Sequence, residues 1–138
     1  MSVAFVLGNG LSRKPIPLEP LKQHGKVYAC NAVYRTFTPD YLVAVDAKMI
    51  NEICTADAHR RMPVWTNPNR AYKKWNGLNF FEPSLGWSSG PTALYLATQK
   101  EHQLIYILGF DFIGNQDGKL NNIYGDTPNY KKNTDVAT

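Results

Sequence analysis

The sequence predicts an α/β fold around a mostly parallel sheet, and three observations carry that prediction. Short apolar runs recur along the chain, nearly continuous rather than alternating, as in strands covered on both faces. Segments with helical signals lie between them. Each run also stops at a turn residue: Gly8 after Val3–Leu7, Asn31 after Lys26–Cys30, Asp46 after Tyr41–Val45 and Gly109 after Gln103–Leu108.

Taken in order, Val3–Leu7 is the first strand. Pro15, Pro17 and Pro20 then forbid a long regular helix and leave room for a short one near Leu18–Gln23, stopped by Gly25. Lys26–Cys30 and Tyr41–Val45 are the second and third strands. Asp46 is a good N-cap for a helix over Ala47–Ala56, whose Met49, Ile50 and Ile53 share a face. Pro63–Thr66 is a fourth strand, closed by Asn67-Pro68-Asn69. Residues 70–85 carry mixed signals, helical near Tyr72–Trp75 and extended near Asn79–Phe81. A helix over Pro91–Lys100 follows, with Pro91 at its first position and Ser88 or Ser89 as cap. Gln103–Leu108 is the last strand. Four or five such strands alternating with helices predict a Rossmann-like three-layer sandwich. Residues 1–113 form its core, and 114–138, rich in Asn, Gly and Asp, read as a loop, lid or mobile tail.

With 138 residues, 43% hydrophobic and 19% charged, the chain has the balance of a single soluble domain. No apolar run approaches the roughly 20 residues of a membrane span, and no leader segment is read. Cys30 and Cys54 show no metal or framework spacing and read as reduced thiols of a cytoplasmic protein. His24, His59 and His102 are scattered, so no metal site is expected. The stretch Asn115-Gln116-Asp117-Gly118 fails as a calcium loop, with Ile113 and Tyr124 at its liganding ends.

Ligands of parallel α/β sheets collect beyond the carboxyl ends of the strands. The turn Gly8-Asn9-Gly10-Leu11-Ser12 lies there, and its amides, with Asn9 and Ser12, are suited to a phosphate. It is not a dinucleotide fingerprint: Arg13 replaces the third glycine, and Asn31 replaces the acidic residue that ends the second strand. No Gly-Lys-Ser/Thr follows, so it is not a Walker A loop either. A second turn, Ser88-Ser89-Gly90-Pro91, places two hydroxyls and a glycine at a helix N-terminus, where the dipole favours an anion. Asp111, between Phe110 and Phe112, is open to three readings: ribose ligand, metal ligand or loop cap.

In this order the motifs resemble those of the bacterial sialyltransferases that use CMP-sialic acid. That family has a Gly-Asn-Gly-Pro-Ser turn, here Gly8-Asn9-Gly10-Leu11-Ser12. Its Cys-Asn-x-x-Tyr-like segment is similar to Cys30-Asn31-Ala32-Val33-Tyr34, and its Ser-Gly turn to Ser88-Ser89-Gly90. Its Gly-Ile-Asp-Phe-Tyr strand end resembles Gly109-Phe110-Asp111-Phe112-Ile113. The resemblance implies a pocket for a cytidine nucleotide, CMP or a CMP-sugar, lined by Asn9, Asn31, Ser89, Gly90, Gly109 and Asp111, and it implies glycosyl transfer. The chain departs from the family at Ile113, where the family has a tyrosine, and at Asp46, where it tends to have an asparagine. No histidine follows His102, which leaves the general base unassigned.

Two other readings accompany the nucleotide one. A non-catalytic Rossmann-like module that assembles with itself or another protein would need none of the loop chemistry. Single-stranded nucleic acid would use Arg70, Tyr72, Lys73, Lys74 and Trp75. No recognised nucleic-acid motif accompanies that cluster, so a solvated basic surface is the reading favoured for it.

Overall fold

The computed structural model describes residues 2–111 and 121–130. Its strands are β1 (Val3–Leu7), β2 (Lys26–Cys30), β3 (Tyr41–Val43), β4 (Val64–Thr66), β5 (Leu78–Phe80) and β6 (Leu104–Leu108). They form one sheet in the order β5-β4-β3-β2-β1-β6, and every pairing is parallel. The predicted α/β class holds, with the sheet parallel throughout. The ambiguous stretch after Arg70 resolves into a 3-10 turn, Arg70–Tyr72, followed by β5.

Alternate residues of each strand feed two apolar layers, because successive side chains point to opposite faces. Ala4, Val6, Tyr28 and Val43 face the helix α2 (Ser89–Thr98), which covers them with Ala93, Leu96 and Ala97. Leu7, Val27, Ala29 and Leu42 face the other side, against Met49, Ile50 and Ile53 of α1 (Ala47–Thr55) and the 3-10 turn Asn31–Arg35. The carboxylate of Asp46 accepts from Lys48 N–H at 3.0 Å, the cap expected from its position. Cys30 and Cys54 are buried and unpaired. No helix among the described residues is long and apolar enough to cross a membrane.

Two expectations need correction. Pro91 is the third residue of α2, not the first, because the helix begins two residues earlier at Ser89. A proline there still forfeits only an amide that has no intrahelical acceptor. The last strand was expected to be covered on both faces, yet β6 is an edge strand with Leu104, Tyr106 and Ile107 38%, 47% and 48% exposed. Among the described residues only β1 pairs with it. The expected positions Phe112 and Ile113, and the stretch Asn115–Gly118, lie outside the described residues.

Candidate functional site

Strand order reverses direction between β1 and β6: the chain steps outward through β2 to β5 on one side of β1 and returns to place β6 on the other. A crevice at the carboxyl ends is expected at such a switch point. Gly8, Asn9, Gly10 and Ser12 follow β1 there, and Gly109 and Asp111 follow β6. Asn31 follows β2 in a left-handed conformation, φ 55°.

The two turns after β1 and β6 are packed backbone against backbone. Gly8 N–H donates to Leu108 O at 2.7 Å and Gly10 N–H to Gly109 O at 2.8 Å. A Cβ on Gly8 would lie 2.5 Å from Gly109 O, and one on Gly10 would lie 2.5 Å from the Asp111 carboxyl. Gly109 itself sits at φ +76°, where a side chain is strained whatever the space. These glycines are therefore required by the close approach of two segments of the chain.

That packing corrects the expectation for the first turn. Leu11 N–H donates to Asn121 Oδ1 at 2.8 Å and Ser12 N–H to Asp111 Oδ2 at 3.1 Å, while the Ser12 hydroxyl donates to Asp111 Oδ1. Arg13 N–H donates back to Gly10 O at 3.1 Å. The amides of Gly8, Gly10, Leu11, Ser12 and Arg13 thus already have protein acceptors. The carboxylate of Asp111 occupies the place at Ser12 where an anionic guest was expected, so of its three open readings the structure displays the loop cap.

Asn9 is a buried brace. Its side-chain NH2 donates to Cys30 O at 3.0 Å, and its Oδ1 accepts from Arg13 Nη2 at 2.9 Å. The Arg13 Nε donates to Gly8 O at 2.8 Å, which places the guanidinium of this residue, only 4% exposed as a whole, inside the turn. Beside Lys14, Arg13 carries no local sign of burial in the sequence. The one usable signal is its occupation of the position where a dinucleotide fingerprint needs glycine. Burial pushes the Cys30 thiol up to about 12, against the opposing pull of Arg13, so it is an inert wall of the site.

The second turn is built differently. The buried Ser89 hydroxyl accepts from Val45 N–H at 3.1 Å, drawing the start of α2 onto the chain leaving β3. Ser88 is the N-cap residue but makes no side-chain cap bond. The amides of the first turn of α2 have no intrahelical acceptor by geometry. The ring of Phe110 spans the gap between the turns: a Cβ on Gly8 would lie 2.8 Å from it and one on Gly90 3.2 Å. Both bends do converge on one edge of the sheet, with an aromatic ring between them.

Asn31 Oδ1 is buried and without a partner among the described residues, and such an orphaned acceptor carries a desolvation cost that a donor would remove. Above it lies the segment 121–130. Ile123 N–H donates to Asn9 O at 2.8 Å, and the Tyr130 hydroxyl accepts from Ala32 N–H at 3.2 Å. Burial raises the Tyr130 phenol, so it stays protonated. The segment is strapped down by Arg35, whose guanidinium reaches Glu52 at 2.7 Å, Thr127 Oγ1 at 2.9 Å and Pro128 O at 3.0 Å. Burial pushes the Glu52 carboxyl up. Hydrogen bonds from Arg35, Tyr34 and Asn129 outweigh it and leave the carboxyl below its usual range.

The chain matches no protein-family model, no curated protein and no solved structure.

Proposed function

We propose that this domain binds a nucleotide in the crevice between the carboxyl ends of β1 and β6, and that the ligand is CMP or a CMP-sugar, as the resemblance to the CMP-sialic-acid-using sialyltransferases implies. The observation that carries the reading is the meeting of the β1 turn, the β6 turn and the start of α2 at the one point where the sheet reverses its strand order. In this reading the Gly8–Arg13 turn is scaffold, and the phosphate is met by the amides of Ser89 and Gly90 at the positive end of α2. Asn31 Oδ1 accepts from the cytosine amine. Asp111 spends part of its accepting capacity on Ser12 and offers the rest to a ribose hydroxyl. Glycosyl transfer would draw on the α2 dipole to stabilise the departing phosphate, with the general base unassigned.

Titrating the isotope-labelled protein with CMP while following backbone amide shifts tests this. Shifts are expected at Ser88, Ser89, Gly90, Asn31 and Asp111, and smaller ones at Gly8–Ser12, whose amides are already bonded. UMP, which lacks the exocyclic amine, is expected to bind more weakly. Silence at Ser89, Gly90 and Asn31 at millimolar CMP overturns the reading.

The exposed apolar strand β6 favours a second one, self-assembly through that edge. It expects a dimer in light scattering that Tyr106→Lys dissociates and that CMP leaves unchanged; a monomer at all concentrations removes it.

A further inference from the structure

We propose that a groove at the carboxyl ends of β4 and β5 binds single-stranded nucleic acid. The groove, of about 470 Å³, is lined by Pro68, Asn69, Arg70, Tyr72, Lys73, Trp75 and Phe80. It lies three to four strand spacings from β1, roughly 14–19 Å at about 4.8 Å per strand, and so is separate from the nucleotide crevice. Its volume is of the size that small ligands occupy.

Charge comes first. From Ala58 through Phe81 the chain has no Asp or Glu, but it has Arg60, Arg61, Arg70, Lys73 and Lys74. Arg60 is paired with Asp57, whereas Arg70, Lys73 and Lys74 take part in neither ion pair among the described residues. The Asn69 side chain accepts from Ala71 N–H at 2.9 Å and starts the short 3-10 turn that puts Arg70 and Lys73 on the groove. Among the described residues no acidic one lines the groove, although the Tyr72 phenol is raised by burial and also by the nearby Asp46 carboxylate. A wall with cations in no ion pair is complementary to a phosphate backbone.

Aromatic surface comes second. Phe80, at the end of β5, is 38% exposed. Trp75 is half-buried and held edge-on by His59, ring centroids 6.2 Å apart, with Lys74 Nζ 5.3 Å from its ring centroid. Aromatic faces flanked by cations are the arrangement on which unpaired bases stack while their phosphates meet Lys and Arg. An acidic peptide would use the cations and leave Phe80 and Trp75 idle, which is why nucleic acid is the occupant favoured. The basic cluster that reads from sequence as solvated surface is thus one wall of a concave site.

The test is fluorescence anisotropy of a labelled decathymidylate with the full chain across a salt series. If Arg70, Lys73 and Lys74 each neutralise one phosphate, log affinity falls against log salt with a slope of about −2. Arg70→Ser with Lys73→Ser flattens that slope to about −0.7, and Phe80→Ala weakens binding roughly tenfold. Trp75→Ala has a similar expected effect, but Trp75 also packs against the core, so Phe80→Ala and the charge pair carry the test if that variant does not fold. Three results overturn the proposal: no binding at low salt, binding unmoved by Phe80→Ala, or competition by poly-glutamate of matched charge as strong as by unlabelled oligonucleotide. CMP shifts at Ser89 and Gly90 are independent of all of these, so the two functional readings fail separately.

Discussion

The turn after β1 and the turn before α2 are alike in composition, each pairing glycine with a hydroxyl at the same edge of the sheet, yet they do opposite things. Between Gly8 and Arg13 the amides of Gly8, Gly10, Leu11 and Ser12 donate to Leu108, Gly109, Asn121 and Asp111, and a buried arginine fills the inside of the bend. At Ser88–Gly90 the cap hydroxyl makes no cap bond, and the helix begins with its amides uncommitted to any side-chain cap. Glycine in the first turn serves backbone meeting backbone. In the second it keeps a methyl group away from the Phe110 ring. Small residues at a strand end therefore do not separate a ligand loop from a packing joint. The destinations of the N–H groups do.

If the first turn is a joint, damage to it should appear in folding. Gly109→Val adds a Cβ 2.5 Å from Gly8 O at φ +76°. Overpacking against backbone plus left-handed strain predict a loss of about 3 kcal/mol or more, read as a lower denaturation midpoint. A stability within about 0.5 kcal/mol of wild type would show that the joint is looser than described.

Arg13→Ala removes the donors to Gly8 O and Asn9 Oδ1 and leaves both acceptors buried, at a cost of about 2–3 kcal/mol. Arg13→Lys restores the charge but not the two-pronged geometry and should recover little of it. Full rescue by lysine would reduce Arg13 to a point charge.

The strap offers a pH-dependent contrast. Glu52 has a folded pKa below its unfolded value, so its contribution is fully present above the unfolded value of about 4.5 and is lost as pH falls through the lower folded value. Hydrogen-exchange protection of the Thr127 and Tyr130 amides, taken relative to the intrinsic rate at each pH, should fall in that acid window. Glu52→Gln should give the faster exchange already at neutral pH, at a cost of about 1 kcal/mol, since the pair is partly exposed to solvent. Unchanged exchange in the variant would mean that the bonds at Asn121, Ile123 and Tyr130 hold the segment without the Arg35–Glu52 pair.

At the second turn the effect should move from stability to binding. Gly90→Ala puts a methyl 3.2 Å from the Phe110 ring, a squeeze of a few tenths of an ångström, while alanine gains up to about 1 kcal/mol of helix propensity. Net stability should change by less than about 1 kcal/mol, while the proposed CMP binding should weaken as the space beside Phe110 narrows. Ser88→Ala is the smallest case: a cap residue usually contributes about 1 kcal/mol, but with no cap bond the loss should stay under about 0.5 kcal/mol. A full cap-sized loss would reveal a cap bond made by Ser88 in solution.

Features written in neighbouring residues were legible without coordinates. The bounds of β1 and β2, the Asp46 cap, the helical face of Met49, Ile50 and Ile53, and the collection of Gly8, Asn31, Asp46 and Gly109 at one edge all follow from period, propensity and turn chemistry within a few positions. What the Gly8–Ser12 amides bond to was not legible. Ser12 meets Asp111 across 99 residues, Leu11 meets Asn121 across 110, and Ala32 is closed by Tyr130 across 98. Nor did any local pattern turn Arg13 inward or gather Arg70, Lys73, Trp75 and Phe80 around one groove. A strand or a cap is chosen by the energies of adjacent residues. A donor's partner is chosen by which distant segment arrives beside it once the sheet has closed, and only the assembled layers supply that address.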